Sequence, residues 1–187
     1  PAVDNIVSII KSHRRFAITT HVNPDGDGLG SELALARALR QMGKKASIVN
    51  HSPTPENYLW MDTAGEIIPF APERHQDLLL LAEVVFVVDT NQPERLRSLE
   101  PFILQTQAVK VVIDHHLEPD NFANHYYVDD DATSTGEMIY RLLKSLGTVT
   151  IDKEIATVLY TAIMTDTGSF RFPRTDPEIH RIVADLL

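Results

Sequence analysis

Three times in this chain an apolar, β-rich run stops at acid or imidazole. Residues 15–20 (RFAITT) lead into His21-Val22-Asn23-Pro24-Asp25-Gly26-Asp27, residues 84–88 (VVFVV) into Asp89, and residues 109–113 (VKVVI) into Asp114-His115-His116. A fourth group, Thr165-Asp166-Thr167-Gly168, closes a helical segment. Gathered at one place, Asp25, Asp27, Asp89, Asp114 and Asp166 could not all stay ionised, because like charges a few ångströms apart raise one another's pKa. Bound cations would remove the conflict. The chain contains no cysteine, so any metal must be held by imidazole and carboxylate. That donor set suits Mn²⁺, with Mg²⁺, Co²⁺ or Zn²⁺ as alternatives. The ligands suffice for two ions about 3.5–4 Å apart, the arrangement of a dinuclear hydrolase.

Each piece also has an ordinary structural explanation. Asp89 taken alone reads as a turn residue or helix cap. His21-x-x-x-Asp25-x-Asp27 would serve as a polar loop entering a helix, yet Asn23-Pro24 imposes an abrupt turn and the Asp25/Asp27 spacing lets one loop serve two ions. The paired imidazoles His115 and His116, at the end of a buried strand, demand hydrogen bonds that apolar residues would not, which favours a functional role. Gly26-x-Gly28-x-Gly30 is a weak match to a dinucleotide loop, since its third glycine comes one residue too early. Ser134 and Thr135 fit the start of a helix. An N-terminus facing the crevice would also accept phosphate, which makes them candidate substrate-binding residues. His13, His51, His75, His125 and His180 lie outside the strand-end clusters and read as surface histidines.

The elements that must position these groups alternate between strand and helix patterns, predicting an α/β fold: a doubly wound, mainly parallel sheet with helices on both faces. Strands are expected at 15–20, 45–50, 84–88 and 109–113. Helices are expected at 29–42, at 73–82, from Pro93, from Ser134 to a stop at Gly147, after the Asp152 cap, and from Asp176-Pro177 to Leu187. In a parallel sheet the C-terminal strand ends share one edge, so the three clusters converge without any assumed chemistry.

A length of 187 residues fits one domain, and 43% hydrophobic with 23% charged residues is the composition of a globular chain. No apolar run approaches the roughly 18 residues of a membrane span, and Pro1 to Lys11 lacks the layout of a secretory signal. A cytoplasmic protein without a membrane partner is expected. The net charge of −9 opposes binding to long duplex nucleic acid, which needs a broad basic surface.

Taken together and in order, His21-x-Asn23-Pro24-Asp25-Gly26-Asp27, Asp89, Asp114-His115-His116 and Asp166-Thr167-Gly168 resemble the motif set of the DHH phosphoesterase family over most of the chain. Ser134-Thr135-Gly136-Glu137 and residues 165–172 (TDTGSFRF) are similar to its subfamily of oligoribonucleases that also dephosphorylate phosphoadenosine phosphate (pAp). The resemblance implies a Rossmann-like DHH catalytic domain over residues 1–187. It also implies two Mn²⁺ ions: His21 and Asp25 on one, Asp27, His115 and Asp166 on the other, Asp89 bridging. His116 would face the scissile phosphate, and Asp114 would orient an imidazole, making His116 and Asp114 the candidate catalytic pair. The implied reaction is hydrolysis of phosphate esters by water activated between two metals. Its substrates would be nanoRNA, pAp, or linear or cyclic dinucleotides. A phosphoanhydride hydrolase, either a pyrophosphatase or an exopolyphosphatase, is the alternative, and a non-catalytic nucleotide-binding module is a third reading. Family members carry a second, DHH-associated substrate-binding domain. Nothing after Phe172 resembles it, so it is expected outside this chain, with residues 175–187 beginning a linker helix. A homodimer is allowed by this reading.

Overall fold

Five consecutive β-branched or aromatic residues, Val84–Val88, form a strand buried on both faces, and the sheet is built around it. The computed structural model describes residues 2–187. In chain order the elements are α1 (Ala2–Ser12), β1 (Arg15–Thr19), α2 (Gly26–Gln41), β2 (Lys45–Asn50), β3 (Ile67–Pro69), α3 (Pro72–Leu80), β4 (Val84–Val88), α4 (Glu100–Gln105), β5 (Val109–Asp114), β6 (His125–Val128), α5 (Thr135–Leu146), α6 (Lys153–Asp166) and α7 (Pro177–Leu186). Short 3-10 segments cover Glu56–Met61 and Pro93–Leu99.

The strands lie in the order β3-β2-β1-β4-β5-β6, and every pairing is parallel. The order reverses between β1 and β4. In open parallel sheets that switch point leaves a crevice beyond the carboxyl ends of the strands, where ligands bind. His21, Asp89 and Asp114 stand at or just past the ends of the three strands bordering it.

Alternation along the strands divides the core. Phe16, Ile18, Ile48, Phe86, Val88, Val111 and Ile113 pack with α1, α2, α5, α6 and α7 on one face. Ala17, Val49, Val85, Val87 and Val112 pack with residues of α3, α4 and the Pro93–Leu99 segment on the other. The doubly wound α/β architecture predicted from the strand and helix patterns is the one observed.

Several boundaries differ for local reasons. α2 begins three residues before the expected 29, because Asp25 caps it by accepting from the Asp27 and Gly28 N–H groups, which draws Gly26 and Asp27 into the first turn. The segment after Pro93 is a 3-10 helix broken at Arg97, whose φ is 54°, before α4 begins. β3 and β6 are short edge strands, and neither has an apolar run long enough to stand out. The N-terminal segment, read above only for a targeting signal, is a helix that buries Ile6, Ile9 and Ile10. The stretch expected to begin a linker helix is α7, which buries Ile179, Ile182, Val183 and Leu186 in the common core. Among the described residues no helix is long and apolar enough to cross a membrane.

Candidate metal centre

The loop after β1 supplies the first donor groups. Asn23 has a φ of 53° and Asp89 a φ of 60°, in the left-handed region that Asn and Asp adopt more readily than other side-chain-bearing residues. The Val22 N–H donates to the Arg95 carbonyl at 2.8 Å, and the Asn23 N–H donates to Ser52 Oγ at 3.0 Å, so the loop is pinned from both sides of the switch point. His21 donates Nδ1–H to the Val22 carbonyl at 2.8 Å, which leaves Nε2 as a bare lone pair. That lone pair lies 3.3 Å from Asp89 Oδ2 and 3.8 Å from Asp25 Oδ2.

A second group forms around His115. Its ring is fixed by a backbone hydrogen bond at Ala132, and its Nε2 is buried with no hydrogen-bond partner. This orphaned nitrogen lies 3.2 Å from Asp166 Oδ2 and 3.7 Å from both Asp27 Oδ2 and Asp89 Oδ1. Asp166 arrives on the last turn of α6, which lies hard against α2: a Cβ on Gly30 would sit 2.4 Å from the Val158 carbonyl oxygen.

Donor atoms of His21, Asp25 and Asp89, and of Asp27, His115 and Asp166, therefore converge as two groups that could each hold a metal ion, with Asp89 facing both. Lone pairs pointing at one another across gaps of this size repel unless a cation lies between them, so the donor set fits divalent metal. A third combination, Asp89, His115 and His116, also meets the spacing. There, however, His116 Nδ1 is already engaged with Asp114 Oδ1 at 2.7 Å.

The electrostatics point the same way. Burial, then the charges of Asp89 and Asp166, push Asp27 well above the ordinary carboxylate range. Burial, then Asp25, Asp114 and Asp166, do the same to Asp89. Asp166 is pushed up to about 6, by burial first and Asp25 next. Burial holds His21 and His115 below the usual imidazole value, so both are neutral and able to ligate. His116 moves in the opposite direction, raised by its hydrogen bond to Asp114. Its side chain is 50% exposed and borders the crevice, whereas Asp114 is fully buried beneath it.

Ser134 and Thr135 occupy a different place from the one expected of substrate contacts. Both are completely buried. Ser134 Oγ caps α5 by accepting from the Glu137 N–H at 3.1 Å. The N–H groups of Thr135 and Gly136 hold the carboxylate of Asp27, so an internal acid fills the place where a phosphate was expected. The glycines of Gly26-x-Gly28-x-Gly30 likewise pack against the protein itself: Gly26 and Gly30 face α6, and Gly28 faces Thr20 and Asp89.

Sequence reasoning missed the buried Glu32–Asn50 pair. Asn50 donates to Glu32 Oε1 at 2.7 Å and accepts from the Thr20 N–H at 3.3 Å, supporting the residue before His21. An acid inside the run LGSELALA was the available signal.

Most of the chain matches known proteins. The family model described as "DHH family, N-terminal domain" matches residues 15–163. Over 177 residues the chain is 34% identical to a bifunctional oligoribonuclease and PAP phosphatase, NrnA, of Thermus thermophilus, covering 91% of this chain and 48% of that protein. It is 31% identical over 174 residues to a probable manganese-dependent inorganic pyrophosphatase of Streptococcus mutans, covering 92% and 54%. The crystal structure of an exopolyphosphatase-related protein from Bacteroides fragilis superposes with a TM-score of 0.93 at 28% identity, covering 99% and 55%. The chain thus spans about half the length of the curated relatives it matches. With three strand-end clusters gathered at the switch point and the family pattern covering most of its length, this chain belongs to the DHH family.

Proposed function

We propose that the cluster is a dinuclear centre for divalent cations, Mn²⁺ foremost, that hydrolyses phosphate esters of short oligonucleotides or small phosphorylated nucleotides such as pAp. The observation that carries the reading is the buried, unpartnered Nε2 of His115, ringed by oxygens of Asp27, Asp89 and Asp166. His21 and Asp25 would hold one ion, Asp27, His115 and Asp166 the other, and Asp89 would bridge. When bound, such ions supply Lewis acidity and make water a nucleophile at neutral pH.

The chain's own residues do the rest. The neutral rings of His21 and His115, each tied through its other nitrogen to a backbone carbonyl, present fixed lone pairs. Asp114 keeps His116 oriented and favours its protonated form, so the ring can place positive charge and an N–H against a phosphate oxygen where charge develops. The resemblance to an NrnA protein favours nucleotide substrates, and the likeness to a pyrophosphatase keeps phosphoanhydride hydrolysis as the second reading.

The test is hydrolysis of a short oligoribonucleotide, pAp and pyrophosphate, each with Mn²⁺ and with EDTA. Chelator-sensitive release from the nucleotides supports the proposal. Preference for pyrophosphate would transfer the site to the second reading, and inertness of Mn²⁺-loaded protein toward all three would refute both.

A further inference from the structure

Asp27 and Asp89 reach the cluster from different parts of the sheet, yet one residue of α5 touches both. The Thr135 backbone N–H donates to Asp27 Oδ2 at 2.7 Å, and the neighbouring Gly136 N–H donates to Asp27 Oδ1 at 2.8 Å. The Thr135 hydroxyl donates to Asp89 Oδ1 at 3.0 Å. We infer that Thr135 is a positioning residue that holds these two carboxylates in register and so sets the affinity of the site for divalent cations. This inference rests on the reading of the cluster as a metal centre.

The physical argument is one of lone pairs. An ionised carboxylate has about four acceptor directions, and each donated hydrogen bond uses one and fixes the others. Asp27 is clamped at both oxygens by successive amides, so its carboxylate plane cannot turn. Gly136 permits that approach, since a Cβ there would lie 3.3 Å from Asp27 Oδ1 and 2.5 Å from the Ala162 Cβ. Asp89 needs fixing for a different reason. Its Oδ2 faces His21 at 3.3 Å and its Oδ1 faces His115 at 3.7 Å, so a partial turn of the carboxylate would withdraw one oxygen from each group of ligands. The hydroxyl bond from Thr135 opposes that turn. Thr135 is itself well placed to do so, being completely buried in the first turn of a 12-residue helix and stiff at χ1 through its β-branch. With no exposed surface, it acts through Asp27 and Asp89 and never on substrate directly.

The experiment is a calorimetric Mn²⁺ titration of the whole chain as wild type, Thr135→Val and Thr135→Ser, with melting curves in EDTA. Valine keeps the backbone N–H and the branched shape but removes the hydroxyl; serine keeps the hydroxyl. Thr135→Val should melt close to wild type in EDTA yet bind Mn²⁺ about 10–100-fold more weakly, the usual effect of losing a partner that orients a metal ligand. Thr135→Ser should recover most of that loss. Wild-type affinity in Thr135→Val, or equal weakening in both variants, would overturn the inference. Should the valine variant fail to fold, Thr135→Ala gives the same comparison against serine. A wild-type chain that takes up no Mn²⁺ would instead refute the metal-centre reading itself.

Discussion

Gly30→Ala sets two calculable effects against each other. In an isolated helix the change from glycine to alanine stabilises by roughly 1 kcal/mol. Here the added Cβ would lie 2.4 Å from the Val158 carbonyl oxygen and 2.9 Å from the Ala162 Cβ. Ordinary carbon–oxygen approaches are about 3.3–3.6 Å, so α6 would have to withdraw by about 1 Å. Overpacking of that kind costs about 1–3 kcal/mol, and its source is backbone, which cannot rotate away. The clash should cancel or exceed the propensity gain. For a domain of this size each lost kcal/mol lowers Tm by about 2–4 °C. The same withdrawal carries Asp166 with it, and Asp166 Oδ2 now lies 3.2 Å from His115 Nε2. Metal–carboxylate bonds are only about 2.0–2.2 Å long, so such a shift should break ligation at that position. The assay is thermal melting in EDTA followed by Mn²⁺ titration. Gly30→Ala should melt no higher than wild type and bind Mn²⁺ more weakly. A variant that melts higher and binds Mn²⁺ normally would show that the close approach of α2 and α6 does not position Asp166.

Asp89→Asn should keep the fold and lose phosphoesterase turnover by orders of magnitude, because the amide keeps the shape while removing the charge shared by both groups of ligands; near wild-type kcat would displace Asp89 from the bridge. His115→Ala should weaken Mn²⁺ binding, whereas His116→Ala and Asp114→Asn should retain the metal and lower kcat, by about 10²–10⁴-fold for His116. The opposite pattern, read by metal titration alongside kcat, would exchange the two histidines. Burial raises the Glu32 carboxyl well above its ordinary value of 4.5, so the folded state keeps a proton that the unfolded chain releases. The stability from this group is full below the unfolded pKa and is lost as pH rises through the folded one. Glu32→Gln keeps an oxygen to accept from Asn50, so it should melt higher than wild type at pH 8 and fall less between pH 5 and 8; an unchanged pH profile would refute the assignment.

The chemistry of the candidate site was legible in the sequence because a parallel sheet needs little further information to converge its strand ends. The run VVFVV reads as a strand buried on both faces and VKVVI as a strand of similar design, and in a parallel sheet the acid or imidazole that follows each emerges at the same edge. His21, Asp25, Asp27, Asp89, Asp114, His115 and His116 were therefore expected together from the sequence, with Asp166, which ends the helix α6, as a group that could fold over the same edge; the choice of six metal ligands among them came from the family resemblance. The distinction between His115 and His116 came from family resemblance, and its geometric basis, a ring with a buried, unpartnered Nε2 against a half-exposed one bound to Asp114, exists only in three dimensions. Ser134 and Thr135 show the limit most clearly. Their capping pattern correctly marked the start of a helix, but what that helix N-terminus would hold depended on a residue more than a hundred positions away. Asp27 reaches it only because α2 packs on α6 through Gly26 and Gly30, and α5 packs on α6 through Gly136. Local sequence carries propensity and periodicity over one or two turns. Which acid satisfies which amide is decided by tertiary packing, where a missing Cβ sets how closely two helices can approach.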